Sequence, residues 1–158
     1  MHDSGYRREP VGRPGLFVGI DLGGSGTRAA LVDTDGTVLA TGRGPTGLRD
    51  GTSAGRQLKR ALDAALAPIA PRVGYAECAV FAGTRGLSVP GRRDRLELEL
   101  TTRFPQGRVQ VANDAFIGFW GGLAGQAGVA VVAGAGSIAF ARDANGREAR
   151  AGGCSTDF

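Results

Sequence analysis

Short apolar runs broken by glycine-rich turns open the ordered part of this chain, and a helical rhythm follows them. LFVGI from Leu16 predicts a strand over Leu16–Asp21, and a glycine-rich turn over Leu22–Gly26 comes next. Strands over Thr27–Val32 and Thr37–Gly42 meet at Asp35-Gly36, a pair that predicts a two-residue hairpin. Leu58, Leu62, Ala65, Leu66 and Ile69 recur at helical spacing, so a helix is expected from about Thr52 to Ala67. Thr52 or Ser53 can cap it, and Pro68 helps to end it. Tyr75–Phe81 reads as a buried strand that ends at the turn AGTRG. Arg92–Arg103 fits two patterns. Leu96, Leu98 and Leu100 alternate as in a strand, yet the segment lies between two strands that look parallel and so need a crossover. A helix is the reading adopted. Arg108–Ala112 is a short strand, and Asn113-Asp114 opens a further helix. Phe116, Phe119, Trp120 and Leu123 mark the buried face of that helix, as core and not as a ligand box. Val129–Ala133 and Ile138–Ala141 are again apolar strands.

The two halves of this pattern are copies. GGSGTRAALVDTDG from Gly23 and AGAGSIAFARDANG from Ala133 align at one constant offset. Gly24 falls on Gly134, Gly26 on Gly136, Thr27 on Ser137, Asp33 on Asp143, Asp35 on Asn145 and Gly36 on Gly146. Each copy follows an apolar run and ends in an Asp/Asn-Gly turn. Such glycine turns let bare backbone N–H groups approach an anion, and Thr27 and Ser137 can add hydroxyl donors. The expected fold class is therefore α/β: a β-β-β-α-β-α-β-α mixed sheet, then the first β-meander of a second such unit. Ligands in these sheets gather at the carboxyl ends of the strands, where Asp21 and Asp114 can share a crevice.

Composition narrows the chemistry. The chain has 158 residues, 42% hydrophobic and 22% charged, which are globular values. No apolar run approaches a membrane span. Residues 1–14 read as a flexible leader without a signal-peptide core. Cys78 and Cys154 lack metal-ligand spacing, and a reduced, cytoplasmic setting is expected. The net charge of +4 rests on arginine, with Lys59 the one lysine. Arg92, Arg93 and Arg95 run straight into LELEL without interleaved aromatics, so a solvated face is expected and nucleic acid is not. His2 is the one histidine, which argues against Ser-His-Asp or Cys-His catalysis. Lys59 lacks the Gly-Lys-Ser/Thr setting of a Walker A loop, and zinc has no ligand set.

Gly24-x-Gly26-x-x-Ala29 also fits the loose dinucleotide fingerprint, but Asp35-Gly36 follows too soon for the long helix that motif must open. The element order is shared with ribonuclease-H-like nucleases, for which Asp21 and Asp114 would serve as metal carboxylates. Such enzymes need no glycine turn beside the first aspartate, and the repeat would go unexplained.

GIDLGGSGTRAALVDTDG, VANDAF and AGAGSIAFARDANGREARAGG resemble, in order, three signature segments of the BadF/BadG/BcrA/BcrD-type ATPases. That family includes N-acetylglucosamine and glucosamine kinases within the actin-like superfamily, and the resemblance spans about residues 15–153. It implies a ribonuclease-H-like/actin-like ATPase lobe over 15–125 and the start of a second lobe over 126–158. It also implies ATP and Mg²⁺ in the cleft. Asp21 would hold the metal, usually through water. Gly23, Gly24, Ser25, Gly26 and Thr27 would wrap the phosphates from one side, and Gly134, Gly136 and Ser137 from the other. Asp114 matches the family's catalytic base, and Asn113 and Asp114 would bind the sugar. A carboxylate in the first turn of a helix is favoured as an anion, which suits a proton acceptor in phosphoryl transfer. The bland alternative for Asp114 is a helix cap after Asn113.

The family's pattern continues through Gly-Gly-Trp-Gly and Gly-Asp-Glu-Gly into a large second lobe. Here CSTDF follows Gly153, so about half of a two-lobe kinase is expected, from a truncation or a shifted reading frame. The expected function is an ATP-dependent phosphotransferase acting on a small-molecule amino sugar, inactive in this shortened form. A homodimer is left open. Two alternatives stand beside it. One is an ATPase that energises a protein partner, a class that generally carries a cysteine-ligated iron–sulfur cluster. The other is an inert fragment whose uncovered apolar strands drive association.

Overall fold

The structure is a computed structural model that describes residues 15–48, 53–73, 78–87, 89–124, 126–133 and 137–153. Three strands, β1 (Leu16–Leu22), β2 (Thr27–Asp33) and β3 (Val38–Gly44), form an antiparallel meander. Helix α1 (Ala54–Leu66) and a short α2 (Ala70–Val73) lead to β4 (Cys78–Thr84), which lies parallel to β1. Helix α3 (Arg92–Arg103) crosses to β5 (Arg108–Asn113), parallel to β4. The sheet order is β3-β2-β1-β4-β5, a mixed sheet with its parallel part at one side. Helix α4 (Asp114–Leu123) follows, and β6 (Gly128–Ala133), β7 (Ser137–Arg142) and β8 (Glu148–Gly152) build a separate three-stranded antiparallel sheet.

The core lies between the first sheet and the helices α1 and α3. Val18, Ile20 and Leu22 alternate along β1 toward that face, as side chains two apart must. They meet Leu58 and Leu62 of α1 and Leu96 and Leu100 of α3. Arg103 ties the two helices together, contacting Glu99 on its own helix and Asp63 of α1 at 2.6 Å. Burial acts to lower the Arg103 pKa, but hydrogen bonds and charge from Glu99 and Asp63 outweigh it and hold the guanidinium more firmly charged.

Helix α4 covers the opposite face and also touches the second sheet. Phe116 packs against Phe81 of β4 and, with Phe119, against Phe140 of β7. Arg142 of β7 sits over the Trp120 ring at 4.6 Å, a cation–π contact. β6 leaves Val129, Val131 and Val132 exposed.

Several expectations need correction. The Asp35-Gly36 hairpin has a three-residue loop, not a two-residue one. A type I′ turn needs positive φ at both central residues, and here only Gly36 has it, at 84°. The cause is Asp33, whose carboxylate accepts the backbone N–H groups of Asp35 (3.0 Å) and Thr37 (2.9 Å) and sets a different turn. β4 extends to Thr84, through residues expected to form a turn, because β1 and β5 pair with it as far as Leu22 and Asn113. The expected start of that strand, Tyr75, lies outside the described residues, as does Thr52. Ser53 occupies the N-cap position of α1 but makes no capping hydrogen bond; its hydroxyl accepts from the Gln57 side chain at 2.6 Å. Arg92–Arg103 is a helix. Leu96 and Leu100 are buried at i, i+4, while Leu98, which a strand would put on the same face, is 67% exposed.

The repeat survives in atomic detail. In the second meander the Asp143 carboxylate accepts the N–H groups of Asn145 (2.8 Å) and Arg147 (2.9 Å), and Gly146 takes φ 80°. Asp33 and Asp143 do the same work in the two hairpins.

Candidate active site

β1 delivers Asp21 to the carboxyl end of the sheet. Phe17, Gly19 and Asp21 alternate away from the main core, toward the face that α4 covers. In register across the sheet, Asp21 stands beside Gly83 of β4, and Gly83 stands beside Ala112 of β5. Two strand spacings, about 10 Å, therefore separate Asp21 from Ala112 along that row. Asn113 and Asp114 come next in the chain.

Gly83 decides how close α4 comes. A Cβ placed on it would lie 2.8 Å from Cγ1 of Ile117 and 3.2 Å from Cα of Asp114. The missing side chain lets the first turn of α4 rest on the sheet beside Asp21. Asn113 is the N-cap, with extended backbone, and its Oδ1 accepts the N–H of Ala115 at 3.0 Å. Asp114 shares that donor at 2.9 Å, which fixes its carboxylate at the N-terminus of the helix. Both side chains are half-buried. Capping is thus divided between the two residues.

The glycine turn between β1 and β2 is closed by a hydrogen bond from Gly23 N–H to Gly26 O at 2.9 Å. Gly24 and Ser25 are exposed at its tip. Thr27 is only 1% exposed, and its hydroxyl donates to Pro45 O at 2.9 Å. Thr46 donates to Gly23 O at 3.1 Å. Both threonine hydroxyls thus bind the turn to the segment after β3, leaving Ser25 and backbone N–H groups as its outward donors. Ser137 opens β7 on the second sheet, and no hydrogen bond among the described residues joins it to the first turn. Gly134 and Gly136 lie outside the described residues. Asp21, the first glycine turn, Asn113 and Asp114 thus share one end of the first sheet.

An open apolar pocket of about 600 Å³ lies on the α4 side of the sheet. Phe17, Gly19, Ala79, Phe81 and Gln110 line it, at positions nearer the other end of the strands. Neither Asp21 nor Asp114 lines it. The Cys78 thiol is buried in the main core, and that burial raises its pKa.

The sequence profile of the BadF/BadG/BcrA/BcrD ATPase family matches residues 18–157. The chain belongs to this family. An N-acetylmuramic acid/N-acetylglucosamine kinase of Clostridium acetobutylicum is 32% identical over 140 residues, 86% of this chain and 45% of that protein. Among solved structures, a putative N-acetylglucosamine kinase of Chromobacterium violaceum is 29% identical, with a TM-score of 0.64. That likeness covers 89% of this chain and 50% of that one. A ROK family glucokinase of Streptomyces griseus, solved with glucose and AMPPNP, shares the fold at 21% identity and a TM-score of 0.53. It covers 80% of this chain and 44% of that one. The chain thus spans about half the length of the relatives it matches. Its first sheet is an actin-like ATPase lobe, and the second sheet is consistent with part of another.

Sequence reasoning missed Thr46, Gly83 and Arg85, all of which shape this end of the sheet. AGTRG looked like a turn, and that reading hid them. A useful signal lay in Gly83 itself: a glycine within an apolar strand often marks close approach of another backbone.

Proposed function

We propose that this chain supplies the N-terminal lobe of an ATP-dependent amino-sugar kinase, with N-acetylglucosamine, glucosamine or an N-acetylmuramic-acid-like sugar as phosphoryl acceptor. The observation that supports this reading is that Asp21 and the first turn of α4 stand at the same end of the first sheet, where Gly83 has no side chain to hold the helix off. In it, residues 15–125 form the first lobe and residues 126–158 begin the second, with a cytoplasmic setting.

Asp114 acts as general base. Its carboxylate, held by the first turn of α4, accepts the sugar hydroxyl's proton as that oxygen attacks the γ-phosphorus. Asn113 orients the same hydroxyl. Gly23–Gly26 and Ser25 offer donors to the phosphate oxygens, with Thr27 holding the turn in shape. Gly134, Gly136 and Ser137 serve the phosphates from the second lobe. Asp21 fits Mg²⁺, because that ion is commonly held by one or two carboxylates together with substrate phosphates and water. The metal would neutralise charge developing on the phosphates.

The reading in which a cysteine-ligated cluster serves a protein partner gains no support, since Cys78 is sealed inside the core. The deciding experiment is a coupled ADP-release assay with each sugar. It is run on the chain alone and on the chain joined to the second half of the Clostridium relative. Sugar-dependent ADP from the joined protein is the expected result. A joined protein that binds Mg·ATP but releases ADP equally with and without sugar overturns the proposal.

A further inference from the structure

Arg85 stands just beyond β4, where the strand leaves the sheet. Its backbone carbonyl accepts hydrogen bonds from the Thr84 hydroxyl at 3.2 Å and from Nη1 of Arg92 at 3.3 Å. Its side chain turns toward the first glycine turn. A Cβ on Gly24 would fall 2.6 Å from Nη2 and 2.8 Å from Cζ of Arg85. The guanidinium therefore rests against the bare backbone of Gly24. It is exposed and forms no ion pair with any described residue.

An arginine with a fixed backbone, a free charge and a place on an amide-rich turn is poised for an anion. The guanidinium lies against the turn at Gly24, and arginine's fork suits phosphate oxygens. Asp21 lies on the adjoining strand, and a cation here also balances its charge when an anion arrives. We propose that Arg85 is a phosphate-binding residue, clamping the terminal phosphates of the nucleotide against the Gly23–Gly26 turn. The inference deepens the kinase reading and rests on it for the identity of the anion. A carboxylate on an acidic sugar is also negatively charged and is the competing source. Arg85 leans toward the β1–β2 turn, however, and phosphates are the anions that such turns receive.

The test uses the 158-residue chain and Mg²⁺-tripolyphosphate, followed by NMR of arginine side-chain N–H groups and by calorimetry. Arg85→Ala should weaken binding about 10- to 100-fold, the scale of a charge-assisted hydrogen-bond pair. Arg85→Lys should recover part of the loss, and Arg56→Ala, on the exposed side of α1, should change nothing. Equal affinity in Arg85→Ala and wild type overturns the proposal. So does an Arg85 response to N-acetylmuramic acid that is absent with both N-acetylglucosamine and tripolyphosphate, because the arginine would then read the sugar's carboxylate. These readouts need no turnover. Retained tripolyphosphate binding through Arg85, with no sugar-dependent ADP release from the joined protein, would sink the kinase reading and leave the phosphate site standing.

Discussion

Replacing Gly83 with alanine is the smallest change that tests how α4 is seated on the sheet. The added methyl group would meet Ile117 of α4, with Cγ1 at 2.8 Å, and the Cα of Asp114 at 3.2 Å. Ile117 can rotate in part, but the Asp114 backbone can yield only if the first turn of α4 lifts from the sheet. Overpacking of this kind costs about 1–3 kcal/mol. Stiffening the unfolded chain returns about 0.4–1 kcal/mol. The net expectation is a loss of about 1–2 kcal/mol, a sizeable part of a small domain's stability of roughly 5–15 kcal/mol. Urea unfolding reports it through Trp120, the one tryptophan, which lies on the same helix. Ile117→Ala makes room for the methyl group, so the double variant should be more stable than the sum of the two single costs, by about 1 kcal/mol. A Gly83→Ala protein as stable as the wild type, or single costs that simply add, would refute the claim that Gly83 sets the height of α4.

Four further expectations concern single residues. In the joined protein, Asp114→Asn keeps the capping geometry but removes the proposed proton acceptor, so sugar phosphorylation should fall by about 10²- to 10⁴-fold while Mg·ATP still binds. Asp21→Asn should instead weaken the Mg²⁺-dependent part of nucleotide binding, and a titration independent of turnover separates the two variants. Asp33→Ala and Asp143→Ala should each destabilise its own hairpin by about 1 kcal/mol, seen as faster amide exchange at Thr37 and Arg147 respectively. Exchange unchanged in both would mean that the turns hold without their aspartates. Burial raises the Cys78 pKa above its ordinary value of 9.0, so the folded state holds that proton more tightly. The resulting stability is present below pH 9.0 and is lost as pH rises through the folded-state value, a slope in urea resistance that Cys78→Ala should remove.

The order of elements along the chain and the repeat were legible because they rest on local signals. The apolar run from Leu16 to Ile20, the apolar stripe from Leu58 to Leu66, and the Asp-x-Asp/Asn-Gly turns each declare themselves within a few residues. The 92–103 helix was decided by topology, since a crossover was required where Leu96, Leu98 and Leu100 alone were equivocal. What stayed hidden depends on contacts distant in sequence. The length of β4 is set by pairing with β1 and β5, and Thr27 turns inward because Pro45, 18 residues away, offers it a carbonyl. Asp21 and Asp114 could be marked individually from their motifs. What lets α4 come down at the end of the sheet that carries Asp21, an absent side chain at Gly83, becomes visible only when α4 is seen lying on the strand.

Helix α4 has two loyalties. Its first residue carries Asp114, while its aromatic side chains touch Phe81 on one sheet and Phe140 on the other, with Arg142 laid over Trp120. A rigid rod seated on the first sheet at its first turn and gripped by the second behaves as a lever. Tilting the small sheet through a few degrees would be felt as a displacement of the Asp114 carboxylate. The placing of the small sheet and the position of that carboxylate are then one mechanical coordinate.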